Sequence, residues 1–207
     1  MTQSNIKYRS IRSSDYRILE DIIRKSWNYD RLGSPKLAKQ LAKIYLASCL
    51  VNQTFTSVAV SNGEPVGVIR GKNIVTHRKP LRYLIRQGVA VTQIAMSKEG
   101  RKIGKMFQKI DEVDEILLKS TLTNFDGELT FFVVDGNQRG SGVGKQLYQQ
   151  FLDYMASENL KTFFLFTDTT CNFGFYEHQG LKRLAEKTLD LPQLQENMHF
   201  YLYGKVQ

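Results

Sequence analysis

Apolar residues recur along this chain at two spacings, one helical and one extended, and the alternation between them predicts the elements. Lys7 to Ile11 reads as a short strand; Ser13-Ser14-Asp15 then offers an N-cap for a helix over Tyr16 to Trp27, with Ile18, Ile22 and Ile23 at helical intervals. Pro35 opens a second helix after Ser34, whose stripe is Leu37, Leu41, Ile44, Tyr45 and Cys49. Thr54 to Val60 and Pro65 to Ile69 flank Ser61-Asn62-Gly63-Glu64, which predicts a hairpin. Residues 73–127 are weakly patterned except for a helix near Ile103 to Lys119, marked by Met106, Phe107, Ile110, Val113, Ile116 and Leu117, and read as an insertion.

The C-terminal third is patterned most sharply. Glu128 to Val134 is a strand whose continuous apolar end suggests cover on both faces. A glycine-rich turn leads into a helix from about Gly142 to Ser157, with Leu147, Phe151, Leu152 and Met155 on one face. Lys161 to Thr167 is a further strand; a short helix around Asn172 to His178 stops at Gly180, and strands near Leu181 to Thr188 and His199 to Tyr203 close the chain. Strand, glycine turn, helix and parallel strand make a βαβ unit.

Composition narrows the class. The 207 residues, 42% hydrophobic and 24% charged, suit one well-cored domain over 1–207. The sequence has no apolar run of membrane-spanning length and no signal-peptide h-region, so the expectation is a cytoplasmic protein with no membrane partner. Two cysteines, Cys49 and Cys171, and the scattered His77, His178 and His199 lack zinc-ligand spacing, so no metal is expected. Each cysteine reads as a small buried hydrophobe, since no histidine is placed to activate Cys171.

Net charge is +9, yet residues 68–109 alone carry eleven Lys and Arg against Glu99. Such a segment is compatible with a nucleic acid, an acidic substrate, a phosphorylated ligand or a solvated face. Tyr83 and Phe107 are its only aromatics and no nucleic-acid motif accompanies it, so nucleic acid is the weakest of these.

The turn Asp135 to Lys145 places Gly140, Gly142 and Gly144 at alternate positions between a strand and a helix. Glycines there allow close backbone approach, and the free N–H groups of the helix's first turn attract an anion. A Walker A loop is excluded, because Arg139 stands where its first glycine belongs and Gln146 follows Lys145; the dinucleotide G-x-G-x-x-G spacing is absent too. Arg139-Gly140-Ser141-Gly142-Val143-Gly144 resembles the R/Q-x-x-G-x-G/A signature of the GCN5-related N-acetyltransferase (GNAT) superfamily. Asn172-Phe173-Gly174-Phe175-Tyr176-Glu177-His178-Gln179-Gly180-Leu181 resembles its second signature, with Leu181 for the last Phe.

The resemblance implies an α/β (α+β) fold, with a central mixed, mostly antiparallel sheet, a parallel βαβ unit at the acetyl-CoA site and flanking helices. It implies an acyl-CoA-dependent N-acetyltransferase whose partners are acetyl-CoA and an amine. Main-chain groups of Phe132, Val133 and Val134 would hold the pantetheine arm; Arg139, Gly140, Ser141, Gly142, Val143, Gly144 and Lys145 the pyrophosphate; Asn172 and Tyr176 complete the coenzyme site. Tyr176 is the implied general acid and Glu128 the implied general base. Alternatives are an acyl-CoA sensor without turnover and a nucleic-acid binder using 68–109; a homodimer is left open. A basic rim on the acceptor pocket would favour acidic or neutral amines over polycations.

Overall fold

The computed structural model describes residues 6–192, 194 and 196–206. Seven strands form one sheet in the order β1 (Lys7–Arg9), β2 (Phe55–Ser61), β3 (Glu64–Asn73), β4 (Gly127–Val134), β5 (Phe163–Asp168), β7 (Glu196–Lys205), β6 (Lys182–Leu191). Every neighbouring pair is antiparallel except β4 and β5, so the sheet is mixed as expected. The β2–β3 hairpin turns through Asn62 and Gly63, both at positive φ (51° and 86°), the backbone that an Asn-Gly turn demands.

Helices cover both faces. On one lie α1 (Tyr16–Ser26), α2 (Pro35–Val51), α3 (Leu81–Ala95) and α4 (Lys98–Ser120), which bury Leu19, Ile23, Leu46 and Leu50 against Val58, Val68, Phe131 and Phe164. On the other, α5 (Val143–Ser157) sets Leu147 and Phe151 on Ile69, Leu129 and Phe163, with α6 (Gly174–His178) beside it. Ser34 caps α2, its Oγ accepting the Leu37 N–H at 3.3 Å. Ser13-Ser14-Asp15 forms a 3₁₀ turn, and the cap falls to Asp15, whose carboxylate accepts the Arg12 N–H at 2.8 Å and a bidentate Arg9 contact.

Residues 73–127 depart most from the sequence pattern. Leu81–Ala95 is a helix whose apolar residues do not mark its buried face, since Leu81, Ile85, Val89 and Val91 face solvent while Ala90 and Ile94 turn inward. In α4, Ile103, Met106, Val113 and Leu117 are buried and Ile116 is exposed. These residues share a core with α1 and α2. The basic segment is divided: Arg70 is fully buried over the Phe131 ring at 5.8 Å, Lys72 pairs with Glu128 and Arg86 with Glu20, while Arg78, Lys79, Arg82, Lys98, Arg101, Lys102, Lys105 and Lys109 are exposed. No helix among the described residues is long and apolar enough to cross a membrane.

Candidate active site

An irregularity in β4 builds the site. Gly71 opposes Leu129 and Arg70 opposes Phe131, so Thr130 is an extra, bulged residue. The bulge resets the alternation: Leu129 faces α5, whereas Phe131 and Val133 face α1 and α2, leaving Phe132 and Val134 on the α5 side. The parallel ladder joins β4 to β5 only at Gly127↔Phe163 and Glu128↔Phe164. Beyond it the β5-facing edge of β4 has no strand partner among the described residues, and a cavity of about 480 Å³ lies between the strands. An unpaired edge beside a cavity can accept an extended ligand as an added strand.

Phe132, Val133 and Val134 line this cavity on one side, Asn172 and Tyr176 on another. At its mouth stand Arg139, Gly140, Gly142, Gly144 and Lys145. Asp135 turns the chain out of β4, its Oδ1 accepting the Asn137 N–H at 2.8 Å, and Gly140 and Gly142 adopt φ of +78° and +84°. Gly142 is the N-cap of α5 and brings no side-chain acceptor to the first-turn N–H groups. Those groups point at the mouth without protein competition, between Arg139 and Lys145, which fits a pyrophosphate. Ser141 and Val143 do not line the cavity: Ser141 Oγ donates to the Gln138 carbonyl at 2.5 Å, and Val143 is buried in the α5 core.

Tyr176 is held by its own helix and by the sheet. The neighbouring Glu177 carboxylate accepts from the Tyr203 hydroxyl at 2.5 Å and from Arg183 at 2.9 Å, and the Tyr176 ring lies between Phe175 (5.6 Å, edge-on) and Tyr203 (6.2 Å). Burial pushes its hydroxyl well above the ordinary tyrosine range, so it stays protonated. Cys171 is a cavity wall rather than core, with its thiol pushed by burial up to about 11. Glu128 is not brought to the cleft: it stands where β4 and β5 still pair, and Lys72 takes its carboxylate in an ion pair.

A second cavity, of about 560 Å³, opens on the α1–α4 side and shares Trp27, Tyr45, Phe166, Thr167, Thr170 and Cys171 with the first. Its acidic residues, Asp111, Asp114 and Asp168, were not singled out from the sequence. Their position beside Ile110 and Val113, on the stripe rather than opposite it, was the available signal.

A sequence model described as the acetyltransferase (GNAT) family matches residues 17–181. No curated protein matches the chain in sequence. Among solved structures, the PH1933 protein of Pyrococcus horikoshii OT3 superposes with a TM-score of 0.58 at 16% identity, over 98% of this chain and 99% of its own. The ribosomal-protein-S18-alanine N-acetyltransferase of Escherichia coli gives 0.53 at 12%, over 96% and 92%. The PaiA N-acetyltransferase of Thermoplasma acidophilum, in complex with coenzyme A, gives 0.52 at 14%, over 97% and 98%.

Proposed function

The chain belongs to the GNAT acetyltransferase family, and from that premise we propose that it moves an acetyl group from acetyl-CoA to a primary amine, by direct attack with both substrates bound. The observation that carries this reading is that one cavity joins the open β4 edge, the glycines Gly140, Gly142 and Gly144 with Lys145, and Tyr176. Bound acetyl-CoA supplies an acetyl thioester, whose C–S bond breaks as the C–N bond to the amine forms. The first-turn N–H groups of α5, with Arg139 and Lys145, hold the pyrophosphate, and main-chain groups of Phe132 to Val134 hold the pantetheine amides. Tyr176, kept protonated by burial, donates to the departing sulfur.

Coenzyme A binding tests the reading directly. A ligand of the native state raises stability by RT ln(1 + [L]/Kd), about 2.7 kcal/mol at a hundredfold excess over Kd. A thermal-shift titration is expected to rise with coenzyme A and acetyl-CoA and to stay nearly flat with ATP and NADH. Equal shifts with all four, or none with coenzyme A, overturn it.

A further inference from the structure

The second cavity meets the coenzyme cleft at Trp27, Tyr45 and Thr167, and from there runs between α2, α3, α4 and the β5–β7 strands. Its size is that of a small-molecule site. The wall is mainly apolar, with the rings of Tyr29, Phe107, Phe166 and Phe200 among its parts. Three carboxylates break that surface: Asp111 and Asp114, one turn apart on α4, and Asp168 at the end of β5. Arg31 is the one cation on the wall among the described residues, and Glu196 pairs with it at 3.2 Å. The α2, α3 and β7 segments of the wall carry no charge. Asp111 reaches solvent and Asp168 Oδ1 accepts from the Thr170 N–H at 2.7 Å and from its hydroxyl, so Asp114 is the carboxylate that the apolar wall leaves without a partner among the described residues.

Two further observations point to a ligand. The Thr167 hydroxyl lies on a residue that lines both cavities and is 8% exposed; the Cys171 thiol stands beside it, and the hydroxyl has no nitrogen or oxygen partner among the described residues. An orphaned buried hydroxyl is costly unless something in the cavity satisfies it. Asp114 is likewise without an ion pair or hydrogen bond among the described residues. Burial, reinforced by Asp111, Asp168 and Glu128, lifts its carboxyl to about 7.

Resting on the acetyl transfer proposed above, we infer that this cavity takes the acceptor, that the acceptor is a primary amine with one positive charge on an apolar, ring-sized body, and that Asp114 receives the proton its ammonium sheds before attack. The balance is simple. R–NH₃⁺ gives one proton to the Asp114 carboxylate, which releases it to solvent; the freed lone pair forms the C–N bond while the C–S bond breaks. The second proton lost from nitrogen compensates the one Tyr176 gives to sulfur, so each turnover yields an amide, a thiol and one free proton. A long polycation fits poorly, because its other ammoniums would be buried among Leu41, Ile44 and Leu191 with no counter-charge. The disfavour of polycations expected from the basic segment is kept, for a different reason, while the tolerance of acidic acceptors is not: the exposed lysines and arginines lie outside the chamber, and carboxylates line it.

Trp27 is the only tryptophan and lines both cavities, so its fluorescence reads occupancy without turnover. The full chain is titrated with coenzyme A, then with phenethylamine, phenethyl alcohol, spermidine and a tetrapeptide with a free N-terminal alanine; thiol release is followed in parallel. Expected is phenethylamine binding at least about tenfold tighter than phenethyl alcohol or spermidine, a difference of about 1.4 kcal/mol. Asp114→Asn should weaken the amine by a similar factor and slow its acetylation roughly 10²-fold, with coenzyme A binding unchanged. Coenzyme A binding with equal affinity for amine and alcohol, with preference for spermidine or the peptide, or with an Asp114→Asn variant that binds and turns over phenethylamine normally overturns the inference and leaves acetyl transfer standing. Loss of coenzyme A binding in the native chain overturns both. If Asp114→Asn does not fold, the comparison of amine with alcohol on the native chain decides alone.

Discussion

Gly144 and Phe132 face each other across the mouth of the β4–β5 cavity, so closely that a β-carbon on Gly144 would stand 3.6 Å from the Phe132 ring. One carbon fits at ordinary contact distance; a branched side chain would project into the space that the pyrophosphate cradle needs. Gly142 poses the opposite problem, with nothing within 4 Å of its β-carbon position and a φ of +84°. The expected outcome is a division of effects. Gly144→Val stays folded by circular dichroism and loses coenzyme A binding by calorimetry. Gly142→Ala loses roughly 1–2 kcal/mol of stability, the strain of a left-handed L-residue, before any effect on the ligand. A Gly144→Val chain that binds normally would remove the first turn of α5 from the cradle.

Tyr176→Phe separates chemistry from packing. The ring keeps its contacts with Phe175 and Tyr203, and the Glu177 bonds to Tyr203 and Arg183 that anchor the helix are untouched. With a general acid removed, kcat should fall roughly 10²- to 10⁴-fold while coenzyme affinity holds. An unchanged kcat would assign the residue to packing and leave sulfur to be protonated by water.

The local geometry of the glycine turn was legible because its signals are local. Gly140, Gly142 and Gly144 fall between a strand and an amphipathic helix, and the hairpin at Asn62-Gly63 and the stop at Gly180 need only their own backbone conformations. The acceptor half was not, because it depends on register. The Thr130 bulge decides which of Phe131 and Phe132 faces which cavity, and no residue type announces a bulge there. Likewise α3 turns Leu81, Ile85 and Val89 to its outer face, and Asp168 gains its place from the pairing of β5 with β7, where it opposes Phe200. Glu128, at a spacing that suggested a base, is drawn instead to Lys72 across the β3–β4 register.

The carboxyl of Asp114 gives a stability test that needs no substrate. Burial first, then Asp111, Asp168 and Glu128, raise it to about 7 in the fold, from an unfolded value of roughly 3.9. Between those values the native chain holds a proton that the unfolded chain has lost. Stability therefore falls as pH rises through that window, the reverse of an ion-paired aspartate. Below about pH 4 both states are protonated and the group costs nothing; above about pH 7 both are ionised and the full cost is present. Asp114→Asn has no charge to bury. Its advantage over the native chain in urea denaturation should be near zero at about pH 4, grow through neutrality and level off above about pH 8. An advantage that is constant across this range, or that shrinks as pH rises, would mean that the carboxylate is solvated or paired, and would leave Asp114 without the desolvation that sets it apart. The expected profile instead describes a group held ready at a cost to the fold, as is common where a site rather than the core selects the residue.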